Sequence, residues 1–124
     1  MRVLVVDDDV HVRKLLTLYL GVGGFEVVEA ASGDEALRLW GGDNGGFDLI
    51  LLDLILPHHG GFRLCQRFKE NNARTVVVIM SGDDSAETRS SAKECGADDF
   101  ISKPFEPTKL VTHLKQLLTN RESS

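Results

Sequence analysis

The chain has 124 residues, of which 42% are hydrophobic, and this size suits one domain with a core of its own. Its 19 acidic residues outnumber 14 Lys and Arg, and the formal charge of −5 disfavours non-specific binding to nucleic acid or to an anionic membrane. No apolar run approaches membrane-spanning length and no charged-then-apolar leader is found, so we expect a soluble, cytoplasmic protein with protein partners. Cys65 and Cys95 lack CxxC spacing and are interpreted as two reduced, half-buried thiols.

Strand-like and helix-like patterns alternate along the first half of the chain. Residues 3–6 form a continuous, largely β-branched run, which predicts a strand covered on both faces. The helical spacing that follows has Asp9 as its expected N-cap. A weaker strand is predicted over 25–30, a short helix over 32–40 and the most apolar strand over 47–53.

The same alternation continues in the second half. The segment 57–61 breaks the chain before a third helix. Strands are predicted over 75–80 and 98–101, with a polar helix over 84–94 between them, and Pro107 opens a last helix. Five strands alternating with five helices predict an α/β fold, in which right-handed crossovers build a parallel sheet between helix layers.

Reactive side chains stand where these strands should end. The five that matter are Asp7, Asp8, Asp53, Ser81 and Lys103. Because the carboxyl ends of parallel strands meet at one edge of a sheet, we expect these side chains to converge. Three crowded carboxylates repel unless a divalent cation lies among them, and an oxygen-only ligand set suits Mg²⁺. With an ammonium available for a phosphoryl oxygen, the pattern indicates magnesium-assisted phosphoryl chemistry on an aspartate.

Each of these residues also has an ordinary explanation. The acidic run 7–9 suits a helix N-terminus, and Ser81 suits a turn. A lone Lys103–Pro104 pair says little, and its peptide bond is trans by default, although a cis bond is possible at a functional turn. Asp53 is harder to explain in this way, because an unpaired carboxylate between apolar runs would cost several kcal/mol, on the order of other polar burial penalties. The combination at successive strand ends therefore carries the functional interpretation.

Over essentially its whole length the chain resembles the receiver domains of two-component response regulators, including the chemotaxis receivers. The motifs that carry the resemblance are Val3–Asp9, Asp48–Asp53 with its spacing to Pro57, and Gly96–Phe105. The resemblance implies a doubly wound, five-stranded parallel sheet in the flavodoxin-like order 2-1-3-4-5. It also implies a receiver domain over 1–120 and a polar tail or linker start over 121–124.

Several positions depart from the common family pattern. Gly60 precedes Gly61 where Asp or Asn is frequent, which predicts a freer loop after the third strand. The hydroxyl residue is Ser81 instead of Thr, Gly82 replaces Ala, and the aromatic residue near the end is Phe100 instead of Tyr. None of these changes removes a group that the expected chemistry needs.

The resemblance implies a mechanism in which Asp53 attacks the phosphorus of a phosphohistidine and forms an acyl phosphate. Mg²⁺ would be held by Asp7, Asp8, Asp53 and the backbone carbonyl of Ile55, and Lys103 would pair with a phosphoryl oxygen. On this reading the chain catalyses its own phosphorylation and dephosphorylation and is not a turnover enzyme on an external substrate.

The same resemblance assigns a switch to Ser81 and Phe100. The hydroxyl would move towards the new phosphoryl group and vacate space into which the ring turns. The implied partners are a histidine kinase or phosphotransfer protein and a downstream output domain or protein, with no nucleic acid or membrane bound directly by this domain.

Three alternatives stay open at this point. A pseudo-receiver would bind partners without phosphorylation. A phosphohydrolase with an aspartyl nucleophile normally has its general acid two residues later, where this chain has Ile55. A flavin carrier of the same topology would need a phosphate loop where the acidic run 7–9 stands. No role is assigned to the four histidines, which are His11, His58, His59 and His113.

Overall fold

The computed structural model describes residues 1–42, 46–56 and 59–123. Three sequence expectations fall partly outside these ranges. They concern the spacing to Pro57, the absence of a role for His58, and part of the polar tail 121–124.

The predicted parallel sheet is confirmed. Its five strands are β1 (Arg2–Val6), β2 (Glu26–Ala30), β3 (Leu49–Asp53), β6 (Val76–Ser81) and β7 (Asp99–Ser102), and two further short strands are β4 (Ile55–Leu56) and β5 (His59–Gly60). The spatial order is β2-β1-β3-β6-β7 with every pair parallel, which is the expected 2-1-3-4-5 arrangement when the strands of this sheet alone are numbered. The observed strand limits differ from the predicted ones by one or two residues.

Five helices connect the strands. They are α1 (Val10–Val22), α2 (Gly33–Gly42), α3 (Gly61–Asn71), α4 (Ala86–Glu94) and α5 (Pro107–Ser123). Asp9 caps α1 as predicted, because its carboxylate accepts hydrogen bonds from the amides of His11 and Val12. The last helix continues to Ser123 and so includes described residues of the expected polar tail. Among the helices of the described residues, none is both long and apolar enough to cross a membrane.

The sheet separates two apolar layers, since alternate residues of each strand point to opposite faces. Val3 and Val5 of β1 pack with the layer that includes Leu16 of α1 and Leu114 of α5. The other face packs against α2, α3 and the end of α4, with contributions from Leu4, Val6, Trp40, Phe68 and Ala92. Burial on both faces explains why the strands read as continuous apolar runs.

The described residues of the loop after β3 are held by backbone hydrogen bonds, and its freedom relative to the family pattern stays a prediction. Ile55 and Leu56 pair in antiparallel fashion with His59 and Gly60, and the Gly61 amide donates to the Leu54 carbonyl over 2.9 Å. A Cβ atom at Gly61 would lie only 2.6 Å from Leu54 Cα. Gly61 therefore allows the start of α3 to pack directly on the backbone that leaves β3.

The cysteines are less similar than expected. Cys65 of α3 is completely buried, whereas Cys95, the residue that ends α4, is partly exposed. The interpretation of two half-buried thiols is therefore wrong for Cys65. Although 30 positions separate them, Cys65 Sγ lies 3.7 Å from the Cys95 carbonyl oxygen, a contact that no local pattern indicates.

Candidate functional site

Three carboxylates converge at the carboxyl edge of the sheet. Asp7 follows β1 and Asp53 ends the adjacent β3, so the pairing of these strands places both side chains at the same edge. One carboxylate oxygen from each of Asp7, Asp8 and Asp53 lies within 4.8 Å of the others. Asp7 is fully buried and Asp53 nearly so, whereas Asp8 is exposed. The cluster is thus open to solvent on one side.

Lys103 brings a positive charge to this cluster from β7. Its Nζ atom donates to Asp7 Oδ2 over 2.8 Å and lies 3.5 Å from Asp53 Oδ1. The Lys103 amide donates to the Ser81 carbonyl, which ties the residue to the end of β6. The Lys103–Pro104 peptide bond is cis, which is the alternative to the default trans form.

The position of Asp7 is fixed by further hydrogen bonds. The Asp9 amide donates to Asp7 Oδ1 over 2.9 Å, and Arg13 Nη1 donates to the Asp7 carbonyl over 2.7 Å. Arg13 is itself held by an ion pair of 3.2 Å with Glu29 of β2. Arg13 and Glu29 therefore brace the backbone that carries the acidic pair.

Burial raises the pKa of Asp53, and the adjacent Asp7 carboxylate raises it further. The charge of Lys103 and a hydrogen bond from the Ile55 amide lower that pKa without cancelling the increase. For Lys103, burial lowers the pKa, but the hydrogen bond with Asp7 and the charge of Asp53 outweigh it and the net direction is upward. The ammonium therefore stays charged at neutral pH while Asp53 gives up its proton less readily than an ordinary aspartate.

The donor set fits a divalent cation. Three carboxylates face one ammonium, so ionised side chains leave the cluster with excess negative charge. All of the available ligand atoms are oxygens, which hard cations such as Mg²⁺ prefer. The residues present are thus chemically suited to the magnesium ion that the sequence indicates.

Ser81 and Phe100 lie on the two adjacent strands at the β6–β7 side of the sheet. The buried Ser81 hydroxyl oxygen accepts a hydrogen bond of 3.0 Å from the Asp83 amide. Phe100 is partly buried, and the guanidinium of Arg89 covers its ring. In the strand register Ser81 is opposite Ser102, two positions beyond Phe100.

The side chain of Ile55 points into solvent beside the site. It is 75% exposed, although it follows the buried Asp53 by only two residues. The structure therefore places an exposed apolar side chain two residues after the one that the sequence predicts as the nucleophile.

Sequence reasoning did not identify the residues that support the site from a distance. Arg13 and Glu29 belong to an ordinary amphipathic helix and an ordinary strand, and only the position of Arg13 one turn after the Asp9 cap hinted at a role. His113, which had been given no role, contacts Asp99 Oδ2 through Nε2. These pairs join residues from different elements, so no local spacing indicates them.

Comparisons with known proteins agree with the geometry. Residues 3–115 match the family described as the response regulator receiver domain. The chain is 38% identical over 117 residues to the transcriptional regulatory protein ResD of Bacillus subtilis (strain 168), which covers 94% of this chain and 48% of that protein. It is 36% identical over 122 residues to the transcriptional regulatory protein SrrA of Staphylococcus aureus (strain NCTC 8325 / PS 47). That match covers 98% of this chain and 49% of SrrA.

A solved structure shows the same fold. The CheY-like response regulator receiver domain protein of Methanospirillum hungatei JF-1 superposes with a TM-score of 0.91 at 30% identity, covering 98% of this chain and 96% of that one. The chain spans about half the length of the curated relatives it matches. On these matches and on its fold, the chain belongs to the receiver domain family of two-component response regulators.

Proposed function

We propose that this receiver domain accepts a phosphoryl group on Asp53 from a partner histidine kinase or phosphotransfer protein. The observation that carries the proposal is the position of Asp53 between two further carboxylates and the Lys103 ammonium at the open edge of the sheet. A carboxylate held beside both a cation-binding cluster and a fixed ammonium is equipped to act on an anionic donor.

In the proposed reaction a carboxylate oxygen of Asp53 attacks the phosphorus of a phosphohistidine. The new P–O bond forms as the P–N bond breaks, and the electron pair of that bond leaves with the imidazole. Lys103, already 3.5 Å from Asp53, binds a phosphoryl oxygen and offsets its charge. When bound by Asp7, Asp8, Asp53 and the Ile55 carbonyl, Mg²⁺ supplies charge neutralisation for the transferred group.

The response to phosphorylation begins at Ser81 in this proposal. Its hydroxyl is buried at the end of β6 and now accepts from the Asp83 amide. A phosphoryl group on Asp53 offers it acceptor oxygens, and the β6–α4 loop moves with the hydroxyl. Phe100 then turns into the vacated space, which changes the surface made by α4, β7 and α5.

An output segment beyond this domain is the proposed reader of that surface. Two relatives are named transcriptional regulatory proteins, and this chain covers about half of each. We infer that a downstream domain or protein carries the output, while the receiver itself, with a formal charge of −5, makes no direct contact with nucleic acid.

Intact-mass spectrometry after incubation with acetyl phosphate and Mg²⁺ tests this function. The wild type should gain one phosphoryl group, and chelation of the metal should abolish the gain. Asp53→Asn should gain none, whereas Glu70→Gln, the same chemical change on an exposed residue of α3, should react as the wild type does. Equal modification of Asp53→Asn would refute the assignment, and a folded wild type inert to acetyl phosphate and to phosphoramidate would favour the pseudo-receiver.

A further inference from the structure

A second pair of reactive side chains, Cys65 and Cys95, lies where α3 meets the C-terminal end of α4. Cys65 Sγ lies 3.7 Å from the Cys95 carbonyl oxygen, and Cys95 Sγ lies 3.0 Å from the Ala92 carbonyl oxygen. Both thiols thus donate to backbone carbonyl oxygens at the end of α4. The Cys65 thiol therefore lies against the residue Cys95, which caps α4.

The two sulfur atoms differ in their access to solvent. Cys65 is completely buried in the apolar layer, whereas Cys95 is partly exposed. A cavity of about 480 Å³ opens between the two helices at this point, lined by Cys95 with Gly60, Phe62, Arg63, Gln66, Ser91 and Glu94. A small solute in this cavity reaches Cys95 before it can reach Cys65.

The two thiols also differ in acidity. The hydrogen bond from Cys65 lowers the pKa of Cys95 to about 7, against the opposing effect of its partial burial, and the amides of Ala97 and Cys95 contribute in the same direction. The same hydrogen bond and burial raise the pKa of Cys65. The accessible sulfur is therefore the more acidic of the two, and the thiolate is the nucleophilic form of a cysteine.

We propose that Cys65 and Cys95 form an oxidation site that a hydroperoxide converts into an intramolecular disulfide. The Cys95 thiolate attacks one peroxide oxygen, the O–O bond breaks, and Cys95 becomes a sulfenic acid while hydrogen peroxide loses hydroxide. The Cys65 sulfur then attacks the sulfur of the Cys95 sulfenic acid and displaces its hydroxyl group. This hydroxyl leaves as water together with the proton of the Cys65 thiol. In sum two thiols and one hydrogen peroxide give one disulfide and two waters.

The disulfide would join α3 to the residue that ends α4. Among the residues of α4 only Ala92 is buried, so few apolar contacts hold this helix to the sheet. The disulfide would therefore restrain α4, the helix that borders β7. Oxidation would then act on the surface made by α4, β7 and α5, which phosphorylation also changes, but through the C-terminal end of α4. The oxidation itself does not depend on the proposed phosphoryl chemistry.

Peptide mapping of the full chain after treatment with equimolar hydrogen peroxide tests the site. The fully reduced wild type should lose two hydrogens, yield a Cys65–Cys95 linked peptide under non-reducing conditions, and recover its mass with dithiothreitol. The rate of thiol loss should rise between pH 6 and pH 8, as expected for a reaction that proceeds through the Cys95 thiolate. A wild type with no linked peptide, or with only intermolecular links, would overturn the proposal.

Two variants separate the roles of the sulfurs. Cys65→Ala should leave Cys95 to accumulate as a sulfenic acid that dimedone traps, and Cys95→Ala should leave Cys65 unmodified over the same time. Thermal melts of both reduced variants establish that they are folded. Equally rapid oxidation of Cys65 in folded Cys95→Ala would contradict the assigned order of attack, and the wild-type peptide map decides the linkage even if a variant fails to fold.

Discussion

The guanidinium of Arg89 lies 4.8 Å from the centroid of the Phe100 ring. Its Nη2 atom also donates to Ser102 Oγ over 3.1 Å, and its Nε atom donates to the Asp84 carbonyl over 3.2 Å. One side chain of α4 therefore contacts the ring and the end of β7 at once. Since Phe100 turns during the proposed switch, this contact must break as the signal passes.

Replacement of Arg89 should make the inward rotation of the Phe100 ring easier. A cation–π contact at a solvent-accessible position is worth about 0.5–1 kcal/mol, so Arg89→Met should increase the population of the inward ring roughly two- to fivefold before phosphorylation. Aromatic ¹³C shifts of Phe100 measure this population, and Lys93→Met, which removes another cation from α4, should leave it unchanged. Identical Phe100 spectra for Arg89→Met and the wild type would show that Arg89 does not restrain the ring.

Asp53 should cost the metal-free protein stability at neutral pH. Its pKa is raised in the fold, so the folded chain binds this proton more tightly than the unfolded chain does. The stability linked to that proton is complete below the ordinary value of 3.8 and is lost as the pH rises through the higher folded value. In EDTA at pH 7, Asp53→Asn should therefore melt several degrees higher than the wild type, the change that about 1 kcal/mol gives in a domain of this size.

A lower pH should narrow the difference in melting temperature between Asp53→Asn and the wild type. Mg²⁺ should raise the melting temperature of the wild type more than that of Asp53→Asn. Asp83 provides the control of opposite sign, because hydrogen bonds from the Ser85 amide and the Thr88 hydroxyl lower its pKa. Asp83→Asn should not raise the melting temperature at pH 7. A less stable Asp53→Asn in EDTA would contradict the proposed charge strain.

Gly61 and Gly60 form a matched pair for testing the approach of α3 to β3. A Cβ atom at Gly61 would lie 2.7 Å from the Leu54 carbonyl oxygen and 2.9 Å from that of Asp53, whereas one at Gly60 would meet nothing within 4 Å. Gly61→Ala should lower the free energy of unfolding by about 1–3 kcal/mol, the usual cost of overpacking. Gly60→Ala should change it by no more than about 0.5 kcal/mol. Urea titrations of both variants decide the matter, and equal midpoints would show that the close approach relaxes freely.

Ile55 should prolong the phosphorylated state. Its side chain is 75% exposed beside Asp53 and cannot orient a water molecule for attack on phosphorus. Ile55→Asn supplies a polar group at that position and should shorten the lifetime several-fold. The decay of the phosphorylated mass after donor removal measures this lifetime. Val22→Asn, which also replaces an exposed β-branched apolar residue by Asn at the last position of α1, is the control. An unchanged or longer lifetime for Ile55→Asn would exclude shielding.

The parts of the fold that follow from local pattern could be predicted from the sequence. Continuous apolar runs indicate strands buried on both faces, and the shared edge of a parallel sheet then brings Asp7 and Asp53 together without further information. The contacts of Arg89 with Phe100 and of Cys65 with Cys95 could not be predicted in this way. They depend on how far each helix is rotated and displaced on the sheet, which is decided by packing among distant residues and leaves no period in the sequence.

Lys103 lies 96 residues after Asp7, and the hydrogen bond between them joins the first strand of the sheet to the last. During synthesis Asp7 and Asp53 leave the ribosome well before Lys103 does. A growing chain that has completed β3 thus carries the proposed phosphate acceptor without its balancing ammonium. On the proposed function, the chain can hold a phosphoryl oxygen with Lys103 only after β7 has joined the sheet.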